Sequence, residues 1–305
     1  MTSIITNNAA MAALSTLRGI NNNLETTQNA VSSGLRISKA SDNAAYWSIA
    51  TTMKSDKGAL SAVSDALGLG SAKVDTAYTA MDSAIDIVGE IKDKLVTAKE
   101  GSVDKSKVQE ELSQLQEQLQ SVAQSASFSG ENWVVATAGA SASVVSSFIR
   151  SSTGGVSVSS SSYEFDTGSS GNVLFGMTNG SIDTSSGILG TQETIGNSSY
   201  SVFSLDITNM TSTDIDGALS MVEAAMQSMT SAAAQLGSLS NRIDLQTTFA
   251  STLSDSISSG IGKLVDADME AESSKLSALQ TQQQLAVQSL SIANSSSQNI
   301  LSLFK

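Results

Sequence analysis

From Leu14 the chain follows alternating steps of three and four residues through Leu14, Leu17, Asn21, Leu24, Gln28, Val31 and Leu35. That spacing returns one helix face every two turns and predicts an amphipathic helix. A second run reads Ile49, Met53, Asp56, Leu60, Val63, Leu67, a third runs from Val74 to Ala98, and a fourth from Val108 to Val122. The pattern resumes over Ile215–Leu236 and Ile243–Leu264. The tail then gives Leu276, Leu279, Gln283, Ala286, Leu290, Ala293, Ser297, Ile300 and Phe304. Heptads of this kind belong to helices packed near-parallel, as in bundles and coiled coils.

Between about 128 and 209 the heptads vanish. Gly, Ser and Thr dominate, and the short apolar runs "NWVVA", "VSVSSSSYEF", "NVLFGM" and "YSVFSLDI" predict short strands joined by loops. The fold class expected is therefore mainly α. The terminal helices pair as a coiled coil, a discontinuous helical bundle follows, and a small β-rich insertion sits mid-chain. The two chain ends must meet in space.

Composition narrows the function. The chain has 305 residues and a formal charge of −13, with no Cys, His or Pro. An acidic chain lacks the Lys and Arg that neutralise phosphate, so no nucleic acid is expected as partner, and no anionic membrane surface. Without Cys and His the commonest metal ligands and the usual general base are missing. From 151 to 241 there are eight acidic side chains and no basic one; we read this stretch as a solvated surface. The first basic residue is Arg18 and no sustained apolar stretch precedes it, so no cleaved signal peptide is expected.

Candidate chemistry was sought and fails at each place. "VDADMEAE" spaces Asp266, Asp268 and Glu270 like the start of a calcium loop, but Ala271 stands where Gly is needed and Ser277 where Glu is needed. It reads as an acidic helix start. "GLGSAK" (68–73) lacks the third glycine of a dinucleotide loop, and "GIGKL" (260–264) lacks the flanking residues of a phosphate loop. Both are expected to be helix-end or loop glycines. No enzyme and no cofactor is expected.

Leu276–Phe304 contains no charged residue. Its Gln, Ser and Asn side chains would lack partners in hydrocarbon, so it is not a membrane helix. Its stripe carries Leu276, Leu279, Leu290, Ile300 and Phe304, each worth roughly 1.5–3 kcal/mol when fully buried. An isolated helix cannot realise that burial. Leu285 and Ile292 lie on a second flank, Val287 and Leu301 on a third. One partner helix leaves those flanks in water, so both ends are expected to be surrounded only in an assembly of many copies. An intramolecular coiled-coil stalk is the alternative.

"SSGLRISKASDNAAYWSIA" (32–50) closely resembles the N-terminal signature of bacterial flagellins, through Ser33, Gly34, Leu35, Arg36, Ile37 and then Asp42, Asn43, Ala44, Ala45. "LGSLSNRID" resembles the family's Asn-Arg segment at Asn241 and Arg242, and the stretch from Asp266 and Asp268 to Leu-Phe at 303–304 resembles its C-terminal signature. The resemblance covers about 1–130 and 213–305. It implies an extracellular filament subunit, exported unfolded through the flagellar type III channel. It also implies a homopolymer, open to co-assembly with other flagellins and served by an export chaperone, a filament cap and hook-junction proteins. It implies an inner coiled coil from 1–40 and 265–305, a bundle from 41–130 and 213–264, and an outer insertion at 131–212. The inner residues are Leu14, Leu17, Leu24, Val31 and Leu35 with Leu276, Leu279, Gln283, Leu290, Ala293, Ile300 and Phe304. Two features depart from the family pattern. Tyr46-Trp47 stands where many flagellins have Gly-Leu, and "DIVGEIKDKLVTAKE" (86–100) lacks the arginines of flagellins sensed by the vertebrate Toll-like receptor. Weak or absent recognition is expected. A hook–filament junction protein and a secreted coiled-coil adhesin are the competing readings.

Overall fold

The structure, a computed structural model, describes residues 7–151 and 153–302, the last seven by backbone alone. Helix α1 (Asn8–Ser33) starts where the Asn7 side chain accepts a hydrogen bond from the Ala10 amide. It stops at Gly34, whose φ of 71° is open to glycine at little cost and whose N–H reaches the Ala30 carbonyl. Helix α2 (Ala44–Ala98) follows, then α3 (Lys105–Ser125), capped by Asp104. After the insertion come α4 (Ser212–Val265) and α5 (Met269–Ser302). Thr211 and Asp214 cap α4 reciprocally: the Asp214 amide donates to Thr211 Oγ1 (3.2 Å) and the Thr211 amide to Asp214 Oδ2 (2.9 Å).

The separate heptad runs of the sequence merge. The second and third form one helix of 55 residues, and the two after the insertion form one of 54. Gly68, Gly70 and Gly260 therefore lie inside helices, not at their ends as the sequence suggested. A mid-helix glycine costs about 1 kcal/mol relative to alanine. At Gly70 the absent side chain is needed, since a Cβ there would sit 2.2 Å from Val144 Cγ1. At Gly260 a Cβ would come within 3.0 Å of Met53 Cε.

Contacts divide the chain into residues 1–58 with 254–305, and residues 59–253. In the second unit one core joins the helices and the insertion. Leu67, Met81, Ile91 and Leu95 of α2, Leu112 and Leu119 of α3, and Ile215, Val222 and Met229 of α4 are all buried there. Trp133, Val134, Phe175 and Leu189 of the insertion complete it. The first unit has its own small cluster of Ile37, Ala50, Ile261 and Val265.

The insertion is built from small sheets. Strands β1 (Ser127–Phe128) and β2 (Glu131–Asn132) pair antiparallel, as do β4 (Ser141–Arg150) and β5 (Val156–Glu164) around a bulge at Val145/Ser147. Strand β3 (Val135–Ala136) lies parallel to β6 (Phe175–Thr178), which pairs with β7 (Ser181–Asp183). Strands β8 (Glu193–Ile195) and β9 (Ser198–Tyr200) form a last hairpin. Three of the four expected strand runs carry strands. "YSVFSLDI" does not beyond Tyr200, because α3 side chains replace a ladder partner. Gln109 Oε1 accepts from the Ile207 amide (2.9 Å), and the Gln116 amide donates to the Val202 and Leu205 carbonyls (both 3.1 Å).

Trp133 stacks on Tyr163 at 5.7 Å, and Phe165 meets both edge-on. The Tyr163 hydroxyl is buried with no hydrogen-bond partner, and burial pushes its pKa up to about 12. The neutral phenol is therefore favoured in the fold. Its contribution to stability is complete below the unfolded value near 10 and is lost as pH rises from there to about 12. Replacing Tyr163 by Phe removes an orphaned hydroxyl, whose burial costs about 1–3 kcal/mol. Y163F is expected to melt higher than the parent at pH 8, and to lose less stability between pH 10 and 12, both by thermal circular dichroism.

Candidate functional site

Helices α1 and α5 pack antiparallel along their lengths. At one end Asn7 Nδ2 donates to the Ala293 carbonyl (3.0 Å), and midway Gln283 Nε2 donates to Asn21 Oδ1 (2.7 Å). At the other end Leu35 forms an isolated antiparallel bridge with Asp266. Residue numbers fall along one helix as they rise along the other, so a single register holds throughout.

The inward stripe of α5 reads Leu276, Leu279, Gln283, Ala286, Leu290, Ala293, with Leu279 fully buried and the rest half-buried. Every member was in the expected series. The side chain of Ile300 and all of Phe304 lie outside the described residues. The inward stripe of α1 is Ala10, Ala13, Leu17, Ile20, Leu24, Thr27, Val31. It shares Leu17, Leu24 and Val31 with the expected series and replaces the remainder. Leu14 is exposed, as are Asn21 and Gln28, and Leu35 lies beyond the helix end. The physical reason is steric. Alanines and a threonine at alternate seam positions let the two backbones approach, and the larger Leu14 is left at the edge. The signal was present in the sequence as small residues at heptad spacing, which a search for large apolar groups passes over.

The pair leaves a great deal uncovered. Met11, Leu285, Val287 and Ile292 are more than half exposed, Ile292 to 71%. Thr27 is buried with no partner for its hydroxyl. A two-helix seam with alanine, threonine and glutamine in it, flanked by large apolar groups in water, is incomplete as a hydrophobic unit.

Below the seam the signature residues build an elbow. Ser33 Oγ donates to the Asn29 carbonyl (2.7 Å) and accepts from the Leu35 amide (3.2 Å). The Gly34 carbonyl accepts from the Ala267 amide (2.9 Å), and the Val265 carbonyl accepts from the amides of Arg36 (2.7 Å) and Ile37 (3.2 Å). The Arg36 guanidinium donates to the Leu264 carbonyl (2.9 Å), while Ile37 enters the small core with Ala50, Ile261 and Val265. Asp42 accepts from the amides of Ser38 (3.0 Å) and Lys39 (3.1 Å), which hold its pKa below the usual aspartate value. Asn43 accepts from the Tyr46 amide (3.2 Å) at the start of α2, so Ala44 and Ala45 form its exposed first turn. Asp268 opens α5, accepting from the amides of Glu270 (3.0 Å) and Ala271 (3.1 Å). Asp266 and Asp268 are thus a bridge residue and a cap.

Asn241 and Arg242 belong to the other unit. Asn241 Nδ2 donates back to the Gly237 carbonyl (3.0 Å), and Arg242 lines a small cavity with Val144 and Ser161. Among the described residues no group of three or more acids could hold a metal ion, and no helix is long and apolar enough to cross a membrane.

Residues 4–138 match the family model for the bacterial flagellin N-terminal helical region, and 219–304 match that for the C-terminal helical region. Neither model reaches the stretch between. Flagellin C of Rhizobium meliloti strain 1021 is 51% identical, Flagellin A of Rhizobium meliloti 46%, and a flagellin of Brucella melitensis biotype 1 44%. Each alignment covers the whole of both chains.

Proposed function

The chain belongs to the bacterial flagellin family, and on that premise we propose that it polymerises through its antiparallel terminal helices, whose outer flanks are buried by neighbouring copies. As a flagellin it is a structural subunit of the flagellar filament. The observation that carries the polymerisation reading is the unfinished helix pair: a charge-free α5 flank with Leu285, Val287 and Ile292 in water.

The rest of the reading follows from the same premise. The seam residues Leu17, Leu24, Val31, Leu276, Leu279, Gln283, Leu290 and Ala293 form the inner coiled coil, with Ile300 and Phe304 continuing it. Residues 1–40 and 265–305 make the innermost layer, 41–130 and 213–264 the bundle around it, and 131–212 the outward insertion. The polymer is extracellular, is exported unfolded with a chaperone, is finished by cap and junction proteins and is open to other flagellins. It has no catalytic role. Recognition by the vertebrate Toll-like receptor is weak or absent. In support, Lys92 and Lys94 of that segment are engaged with Glu223 and Glu111. A strong reporter-cell response to the purified monomer contradicts this.

The test is electron microscopy of the purified full chain after addition of a salting-out agent. Long filaments of uniform width are expected. A chain that stays monomeric, or stops at small discrete oligomers, overturns self-polymerisation.

A further inference from the structure

Helix α4 carries an uncovered stripe. Ile243 and Ala250 are buried, and Leu245 and Phe249, one turn apart, face away from them at 73% and 59% exposure. From 245 to 254 the sequence, "LQTTFASTLS", has no charged residue, so the usual surface guard against association is absent. Exposed Asp244 and Asp255 bracket the stretch.

A second uncovered patch stands at the start of α2. Tyr46, Trp47 and Ile49 are exposed there. Tyr46 lies one turn before Ala50 on the face that packs against Ile261 and Val265, where nothing covers it. Exposed Lys39, Lys54 and Lys57 surround this patch, and Asp42 is turned back onto the Ser38 and Lys39 amides. The acid-bracketed aliphatic stripe and the lysine-ringed aromatic patch are complementary in both apolar surface and sign.

We propose that in the polymer Leu245 and Phe249 of one copy seat on the Tyr46–Trp47 patch of a neighbouring copy. The proposal rests on the polymerisation reading and assigns it a specific contact. Two different patches meeting make a heterologous contact. Such a contact leaves one patch of each kind free on every growing end and so propagates an open chain. Charge pairing at the rim of the contact would fix its register, and the apolar centre would hold it.

The chain has no cysteine, so introduced pairs report without background. Thr51 and Thr248 are exposed neighbours of the two patches. A chain carrying both Thr51→Cys and Thr248→Cys, polymerised and then oxidised, is expected to give a ladder of covalent multimers on a non-reducing gel. Either single variant is expected to stay monomer-sized. Filaments without a ladder, a monomer-sized internal link, or dimers from a single variant overturn the contact while leaving polymerisation intact. Failure of the unsubstituted chain to form filaments overturns the polymerisation reading itself. Phe249→Ala supplies an independent check: unchanged helicity with a critical concentration raised at least tenfold is expected. An unchanged critical concentration overturns the proposal.

Discussion

Ending the chain at Lys275 abolishes polymerisation and leaves the core of residues 59–253 folded. That core closes without any residue of α5, so its melting transition is expected to stay within a few degrees of the parent. The terminal pair is lost completely. Removing Leu276, Leu279 and Leu290 takes away side chains worth roughly 1.5–3 kcal/mol each on full burial. It also leaves α1, a single helix of 26 residues, without the seam that stabilises it. The check is sedimentation after salting-out, together with a thermal scan. Filaments from the truncated chain at the parent's critical concentration would mean that the tail is dispensable.

The second large effect separates the seam from its flanks. Leu285→Asp and Ile292→Asp change positions that are exposed in the single chain. Surface substitutions of this kind usually move stability by no more than about 0.5 kcal/mol, so the monomer's circular dichroism and melting should be unaltered. If neighbouring copies cover these flanks, each carboxylate is trapped without a partner, which costs several kcal/mol. Every 1.4 kcal/mol is about a tenfold change in an association constant, so the critical concentration should rise by orders of magnitude. A substitution silent in the monomer and severe in the polymer identifies a surface that exists for assembly.

Much of this was legible in the sequence because large side chains advertise their face. The α5 stripe was read correctly through Ala293, since Leu276, Leu279 and Leu290 fix its phase. The α1 stripe was half-read, because its alternate positions are Ala10, Ala13 and Thr27, whose burial comes from a close approach that the sequence does not display. Gly70 was taken for a helix boundary on propensity. Its actual reason is Val144, 74 residues further along the chain. Strand β4 was missed: "SASVVSSFIR" is nearly half serine and only Val144 in it is fully buried. The loop after Tyr200 looked like a strand until Gln109 and Gln116 proved to satisfy its backbone. The signature residues were visible as a motif, but their mutual geometry was not. Arg36 meets Leu264 and Leu35 meets Asp266 across more than two hundred residues.

The central claim is that the outer flank of α5 is exposed in the single chain and buried in the polymer. In this cysteine-free chain, Ile292→Cys gives one thiol at the most exposed point of that flank. Its rate of reaction with a small thiol reagent should be measured in monomer and in sedimented filament. The account predicts rapid labelling of the monomer and a rate at least tenfold slower in the filament. Equal rates in the two states would contradict it.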